Sequence, residues 1–194
     1  MWVELIGLPG VGKTTLVENN LSFIASKFRI IRSNSPSILH RGTAKILYQN
    51  IYRNGLTNQD LAKKLAYRDS FRFFLHKERN MFFYDSGLIQ VLLEHFIEDE
   101  NTSIPMMEKA ISLIDLPHKV IFVDDDIERI SRRESKRSPR RFMISKPKLI
   151  ARYQSAQNFI ETFLFQRIPN IQVVRIGSQI DNEFCRLLQK DLRS

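Results

Sequence analysis

The chain has 194 residues, 43% of them hydrophobic and 26% charged, a composition that fits one ordinary folded domain and excludes a disordered chain. No apolar run approaches the roughly 20 residues of a membrane-spanning helix, so we expect no membrane partner. The single cysteine excludes an internal disulfide bond, and a strand starting at residue 2 leaves no room for a secretory leader. We therefore expect a cytoplasmic protein. Residues 129–152 carry a net charge of +9, equal to that of the whole chain, so the rest of the chain is neutral overall. Such a basic segment indicates binding of a polyanion such as nucleotide phosphates, a phosphorylated substrate or nucleic acid.

Apolar strands alternate with helix-periodic segments along the chain. Strands are predicted at residues 2–6, 28–31, 81–84, 119–123 and 171–176. Helices are predicted at residues 13–27, 43–52, about 57–78, 87–98, 105–114, 147–166 and 181–190. Strands separated by helices favour βαβ units, and therefore an α/β fold whose parallel five-stranded sheet is covered by helices on both faces. We expect a single domain over residues 1–194.

Residues 7–14 match the phosphate-binding motif G-x-x-x-x-G-K-[ST] at every fixed position, between an apolar strand and a helix. The glycines allow successive N–H groups to turn inward and form a nest for phosphate oxygens, to which the following helix adds its positive end. Lys13 should reach the β- and γ-phosphates, Thr14 should bind Mg²⁺ and Thr15 should contact the α-phosphate. The predicted phosphate-binding residues are Gly7, Pro9, Gly10, Val11, Gly12, Lys13, Thr14 and Thr15. We therefore expect binding of a nucleoside triphosphate, ATP with Mg²⁺.

The third predicted strand is apolar and ends in Asp85. An aspartate at this position of a phosphate-loop protein can hold Mg²⁺, directly or through water, or accept a proton from the attacking group. The alternative is that Asp85 caps the helix that begins near Gly87. Ser86 follows Asp85 where hydrolytic motor ATPases usually have a water-activating glutamate, which favours transfer to an acceptor over hydrolysis.

The basic segment begins directly after the fourth strand, where we interpret Asp124 or Asp125 as a turn or cap residue. A helix is predicted first, broken near Pro139 and followed by a cationic loop. Arginines can stabilise the charge that spreads over a transferring phosphoryl group, so we predict a mobile lid at about residues 126–147 that closes over ATP. A solvated charged surface is the alternative. The predicted catalytic residues are Lys13, Asp85, Arg129, Arg133 and Arg137.

These features resemble the nucleotide and nucleoside kinases of the adenylate kinase-like branch of the P-loop NTPase superfamily. The resemblance rests on residues 7–14, on the strand ending in Asp85, and on the pair Arg129-x-x-x-Arg133, a spacing that adenylate kinase-like enzymes carry at the entrance of their lid. It implies a three-layer sandwich with strand order 2-3-1-4-5, and a phosphotransferase that uses ATP and Mg²⁺. It also places adenine beside the loop after the fifth strand, near Gly177 and Ser178.

In such enzymes the acceptor binds near the helices before the third strand, which corresponds here to about residues 33–80. Arg41, Arg68 and Arg72 are candidate acceptor-binding residues; Arg68 and Arg72 share a helix face and could hold a phosphate or be surface charges. The chain lacks the Asp-Gly-Phe-Pro-Arg stretch of adenylate kinases, the Asp-Arg-Tyr of thymidylate kinases and the Glu-Arg-Ser of deoxynucleoside kinases. A nucleoside or nucleotide is the first expectation for the acceptor and a sugar or other metabolite the alternative. A polynucleotide kinase and a nucleotide-switched binding module remain further alternatives.

Overall fold

A computed structural model of the chain describes residues 1–32, 38–75, 81–99, 101–137, 146–168 and 170–190. Its centre is a five-stranded parallel sheet in the order β2-β3-β1-β4-β5. The strands are β1 (Trp2–Gly7), β2 (Arg29–Arg32), β3 (Phe82–Asp85), β4 (Lys119–Asp124) and β5 (Ile171–Arg175). The α/β class, the parallel pairing and the strand order expected from the sequence are therefore confirmed.

Helices flank the sheet between successive strands. They are α1 (Lys13–Asn19), α2 (Leu21–Lys27), α3 (Ile38–Arg53), α4 (Gln59–Leu75), α5 (Leu88–Glu98), α6 (Ile104–Ser112), α7 (Ile127–Arg137), α8 (Lys146–Phe159), α9 (Phe165–Arg167) and α10 (Ile180–Lys190). A π-helical turn, Ile160–Leu164, joins α8 to α9. Within the described ranges, no helix combines the length and apolar character that spanning a membrane requires.

The central strands are almost entirely buried, as expected for a parallel sheet covered on both faces. Two charged side chains nevertheless lie inside it: Glu4 on β1 and Lys119 on β4 are 2% and 1% exposed. The ammonium of Lys119 donates to the carbonyl of Leu187 near the end of α10, where helical carbonyls lack partners within the helix. Glu4 is linked through Gln90 to Gly7, the first residue of the predicted phosphate-binding loop (residues 7–14), and belongs to the candidate site.

The prediction of one continuous helix over residues 13–27 was wrong, because Asn20 separates α1 from α2. Its amide Nδ2 donates to the carbonyl oxygen of Leu16 at 2.9 Å and to Oδ1 of Asp181 at 2.6 Å. A side-chain amide that bonds nearby backbone groups competes with the helical pattern, which explains the interruption. The bond to Asp181 also ties this junction to α10.

Two further helix predictions need correction. The helix predicted from about residue 57 begins at Gln59, after a cap at Asn58, whose Oδ1 accepts from the backbone N–H of Leu61 at 2.9 Å. The helix predicted over residues 147–166 contains the π-helical turn. Phe159, just before this turn, stacks on Phe96 of α5 with ring centroids 4.3 Å apart, which fixes the helix against the core.

Candidate active site

The phosphate-binding loop lies between β1 and α1, and its glycines are required by its shape. Gly10 and Gly12 have φ angles of 82° and 107°, in the left-handed region that residues with a Cβ resist. A Cβ at Gly7 would lie 2.8 Å from the carbonyl oxygen of Val123, so the first position is restricted by close packing on β4. The loop therefore adopts the tight backbone path that the motif predicts.

Lys13 folds back over this loop, and its Nζ donates to the carbonyl oxygen of Gly7 at 2.7 Å. Thr14 and Thr15 are exposed at the start of α1. The helix has Gly12 at its N-cap position and no side-chain cap bond. The ammonium, the hydroxyls and the first helical amides thus lie together, where they can receive the phosphates of a nucleotide.

Asp85 is the last residue of β3 and is in register with Leu5 of β1, so it lies at the same edge of the sheet as the phosphate-binding loop. The next residue, Ser86, has a φ of 79°, a left-handed conformation that turns the chain from β3 into α5. The described residues contain no group of three or more His, Cys, Asp or Glu that could hold a metal. One carboxylate and the Thr14 hydroxyl still fit Mg²⁺, which takes oxygen ligands and keeps several waters.

Two buried polar side chains below the loop, Glu4 and Gln90, were not predicted. Oε1 of Glu4 accepts from the backbone N–H of Gln90 at 2.7 Å, and a Cβ at Gly87 would lie 2.6 Å from the Glu4 carboxyl group. Burial raises the pKa of Glu4 to about 7, against the opposing effects of backbone hydrogen bonds from residues 88–90 and of the Arg68 charge. The one sequence signal of Glu4 and Gln90 is that each is a polar residue inside a strand or helix that is otherwise apolar.

Helix α7 packs directly against the phosphate-binding loop. A Cβ at Gly10 would lie 3.1 Å from the carbonyl oxygen of Ile130 and 3.2 Å from Cβ of Glu134. One guanidinium nitrogen of Arg133 donates to the carbonyl oxygen of Val11 at 3.2 Å and lies 2.8 Å from Oδ2 of Asp125. The start of the predicted lid therefore touches the loop that it was expected to cover.

The sequence interpretation of the acidic run after β4 missed the residue that caps α7. Asp126 is the cap of α7, since its Oδ1 accepts from the backbone N–H of Arg129 at 3.0 Å. Asp125 has a buried side chain with two roles: its Oδ1 accepts from the backbone N–H of Asp126 at 2.8 Å, and its Oδ2 lies 2.8 Å from Arg133. Burial raises the pKa of Asp124, while Arg175, with its Nε 3.5 Å from the carboxylate, opposes this shift.

A cavity of about 280 Å³ opens between the loop, α7 and the segment that joins β5 to α10. Its walls include Thr15, Arg133, Ile176, Ile180 and Asp181. Apolar side chains with a few polar groups around them are typical of a small-molecule pocket. The cavity lies beside residues 177–178, where the resemblance places adenine.

The other predicted site residues are not all brought to this cavity. The side chain of Arg129 is 65% exposed and lies 3.8 Å from Asp125, and Arg41 is exposed on α3. Arg68 is half-buried and faces a small internal space together with Glu4. The side chains of Arg72 and Arg137 lie outside the described residues, as do residues 138–145 of the predicted lid and residues 33–37 and 76–80 of the predicted acceptor region.

Residues 7–14 match the phosphate-loop motif and follow the central strand of a parallel α/β sheet with the order 2-3-1-4-5. No protein-family model matches the chain, and no curated protein matches its sequence. Solved structures of nucleoside and nucleotide kinases, in contrast, are similar over the whole chain. The resemblance that was based on short motifs is thus confirmed for the fold.

Three of these structures show the extent of the similarity. Deoxyadenosine kinase from M. mycoides with bound dATP is 14% identical with a TM-score of 0.59, over 100% of both chains. Thymidylate kinase from Candida albicans is 16% identical with a TM-score of 0.54, over 99% of this chain and 90% of that one. Thymidylate kinase from Ehrlichia chaffeensis is 14% identical with a TM-score of 0.60, over 97% of this chain and 98% of that one.

Proposed function

We propose that this protein is a kinase that transfers the γ-phosphoryl group of ATP to a nucleoside or nucleotide. The observation that carries the proposal is the position of Arg133, which contacts the phosphate-binding loop through Val11 and also lines the neighbouring cavity. A nucleotide with its phosphates in the loop and its base in the cavity would lie next to the Arg133 guanidinium. Arginine there can neutralise charge on the triphosphate and on the transferring group.

The remaining residues have complementary roles in this proposal. The loop amides and Lys13 bind the β- and γ-phosphates, and Thr14 and Asp85 hold Mg²⁺. When bound, Mg²⁺ neutralises charge that develops on the phosphate oxygens. Asp85, at the end of β3, is also placed to orient the acceptor hydroxyl or to accept its proton.

Similarity over the whole chain to deoxyadenosine and thymidylate kinases supports a nucleoside or nucleotide as the acceptor. Arg41, Arg68 and Arg72 are the candidates for contacting it, all from α3 and α4, which pack along one another. Arg68 already faces the buried carboxyl group of Glu4, so Arg41 and Arg72 are the better candidates for an acceptor phosphate.

The test is a transfer assay with γ-labelled ATP and Mg²⁺ against pools of nucleosides, nucleotides and sugars and a 5′-hydroxyl oligonucleotide. Label on a nucleoside or nucleotide is the expected result. Label on the oligonucleotide alone would show a polynucleotide kinase, label on a sugar a different metabolite kinase, and release of phosphate without transfer a hydrolase. Each of these three outcomes would overturn the proposed acceptor class.

A further inference from the structure

The phosphate-binding loop begins at Gly7, beyond the end of one neighbouring strand. β3 stops at Asp85, which pairs with Leu5, so Gly7 lies two residues beyond the last pair between β1 and β3. On the other side Gly7 is in register with Val123 of β4. A peptide group at a sheet interior needs hydrogen-bond partners, because an unpaired buried N–H or C=O is costly.

The side chain of Gln90, in the first turn of α5, supplies these partners. Its Oε1 accepts from the backbone N–H of Gly7 at 2.9 Å, and its Nε2 donates to the carbonyl oxygen of Gly7 at 3.2 Å. Gln90 is fully buried. Its carboxamide therefore offers the acceptor and donor that a further strand residue would present to Gly7.

The same carbonyl oxygen of Gly7 also accepts from the ammonium of Lys13, at 2.7 Å. A carbonyl oxygen has two lone pairs, so Gln90 and Lys13 can occupy it together. The direction of this carbonyl fixes where the Lys13 ammonium lies. An ammonium has three N–H donors, so Lys13 can keep its bond to Gly7 and still donate to phosphate oxygens.

Gln90 is itself held in place from two directions. Its backbone N–H donates to Oε1 of Glu4 at 2.7 Å, and its Nε2 donates to Oε1 of Glu94 at 3.0 Å. Because Glu94 can only accept from the amide nitrogen, and the N–H of Gly7 needs the amide oxygen, the network itself supports this orientation of the amide group.

We propose that Gln90 is a positioning residue: its carboxamide orients the Gly7 peptide so that the Gly7 carbonyl holds the ammonium of Lys13 toward the nucleotide phosphates. The effect on transfer rests on the proposed kinase function, whereas the effect on nucleotide binding does not. Gln90 thereby links the Asp85 end of β3 to the first residue of the phosphate-binding loop, since it lies five residues after Asp85.

The test compares the wild type with Gln90→Glu, Gln90→Ala and the control Gln157→Ala. Gln157 is also a helical glutamine bonded to a glutamate four residues on, Glu161, but it lies on α8. Three quantities are measured for each protein: hydrogen exchange of the Gly7 amide without nucleotide, the dissociation constant of Mg·ATP by calorimetry, and kcat with KM for whichever acceptor accepts label. Unfolding midpoints are recorded in parallel.

At pH 8 the Gln90→Glu carboxylate can still accept from the Gly7 N–H but cannot donate to the Gly7 carbonyl that it faces, so we expect roughly tenfold or greater weakening of Mg·ATP binding. Faster exchange of the Gly7 amide is expected in Gln90→Ala, which removes the acceptor as well. At lower pH a protonated carboxyl group both donates and accepts, so binding relative to the wild type should recover. Gln90→Ala should lose both bonds at every pH, and Gln157→Ala should match the wild type.

Unchanged Gly7 exchange in Gln90→Ala, or faster exchange with unchanged Mg·ATP affinity in the folded Gln90→Ala protein, would overturn the positioning role. Equal losses at all pH values in Gln90→Glu would also contradict it, because they would point to a general packing defect. Tight Mg·ATP binding by the wild type without transfer to any acceptor would instead refute the proposed kinase function and leave the positioning role supported by the binding results.

Discussion

The guanidinium of Arg133 lies 2.8 Å from Asp125, whose side chain is 3% exposed while that of the arginine is 42% exposed. Asp125 follows β4 directly, so the sheet fixes the carboxylate and the carboxylate holds the arginine against the loop. An arginine that is already in position before the nucleotide arrives loses less entropy when it engages a phosphate. The pair therefore preorganises the cationic side of the candidate site.

Replacing Asp125 by asparagine should slow transfer, because Arg133 loses the charge that holds it at the loop. We expect kcat to fall by about tenfold, with a smaller change in Mg·ATP affinity, as for a residue that matters mainly in the transition state. The matched control is Glu128→Gln, which removes an exposed partner of Arg132 on the same helix, 3.0 Å away. Steady-state kinetics of both variants test this, and equal losses in the two would argue against a specific role for Asp125.

Lys13→Ala should abolish nucleotide binding while leaving the protein folded. The ammonium is half-buried, and the Gly7 carbonyl that it bonds keeps its bond from Gln90, so removal of the ammonium should cost little stability. Calorimetry with Mg·ATP measures the loss, and Lys27→Ala, an exposed lysine at the end of α2, is the control. Retained binding in the Lys13 variant would show that the nucleotide does not use this loop as proposed.

Two glycine-to-alanine substitutions should have opposite effects on stability. Gly10 has a φ of 82° and lies against Ile130 and Glu134, so Gly10→Ala should lower the free energy of unfolding by about 1–3 kcal/mol. Gly42 lies in α3, and an added methyl group there would have nothing within 4 Å. Gly42→Ala should therefore raise the free energy of unfolding by roughly 0.5–1 kcal/mol. Urea denaturation measures both; a stabilised Gly10 variant would contradict the tight contact between α7 and the loop.

Glu4 should make the stability of the folded protein depend on pH. Its pKa is raised from 4.5 to about 7 by burial, so between these values the folded protein binds more protons than the unfolded chain. The free energy of unfolding therefore falls as pH rises through this window and levels off above it. The loss corresponds to about 3 kcal/mol, since each pKa unit is worth about 1.4 kcal/mol.

Glu4→Gln removes this titration and keeps the shape of the side chain. The difference in unfolding free energy between the variant and the wild type should therefore shift in favour of the variant as pH increases from 4.5 to about 8, while all other groups contribute equally to both proteins. Denaturation curves at closely spaced pH values give this difference. Curves that stay parallel across the range would mean that Glu4 ionises normally in the folded state.

The parts of this molecule that sequence could predict are those encoded by neighbouring residues. The phosphate-binding motif, the apolar strands and the four-residue spacing of Arg129 and Arg133 are local patterns, and the strand order followed from the resemblance that they support. The spacing alone could not tell which of the two arginines reaches the loop. Arg133 does so because it lies 2.8 Å from the buried carboxylate of Asp125, whereas Arg129 lies 3.8 Å from it and is largely exposed.

The parts that sequence could not predict depend on contacts between distant positions. Gln90 bonds Gly7 across 83 residues, and Glu4 bonds Gln90 across 86. Asn20, which breaks the first helix, bonds Asp181 across 161 residues. No periodicity or spacing in one segment carries this information, since each partner is an ordinary polar residue in its own surroundings.

The junction at Asn20 has a practical consequence. Oδ1 of Asn20 accepts from Sγ of Cys185 at 3.1 Å, while its Nδ2 bonds Asp181 in the cavity wall. Cys185 is the chain's one thiol, and burial raises its pKa, so alkylation of the resting protein should be slow. The rate at which Cys185 is alkylated should therefore report whether a ligand occupies the neighbouring cavity, and no probe has to be introduced by mutation.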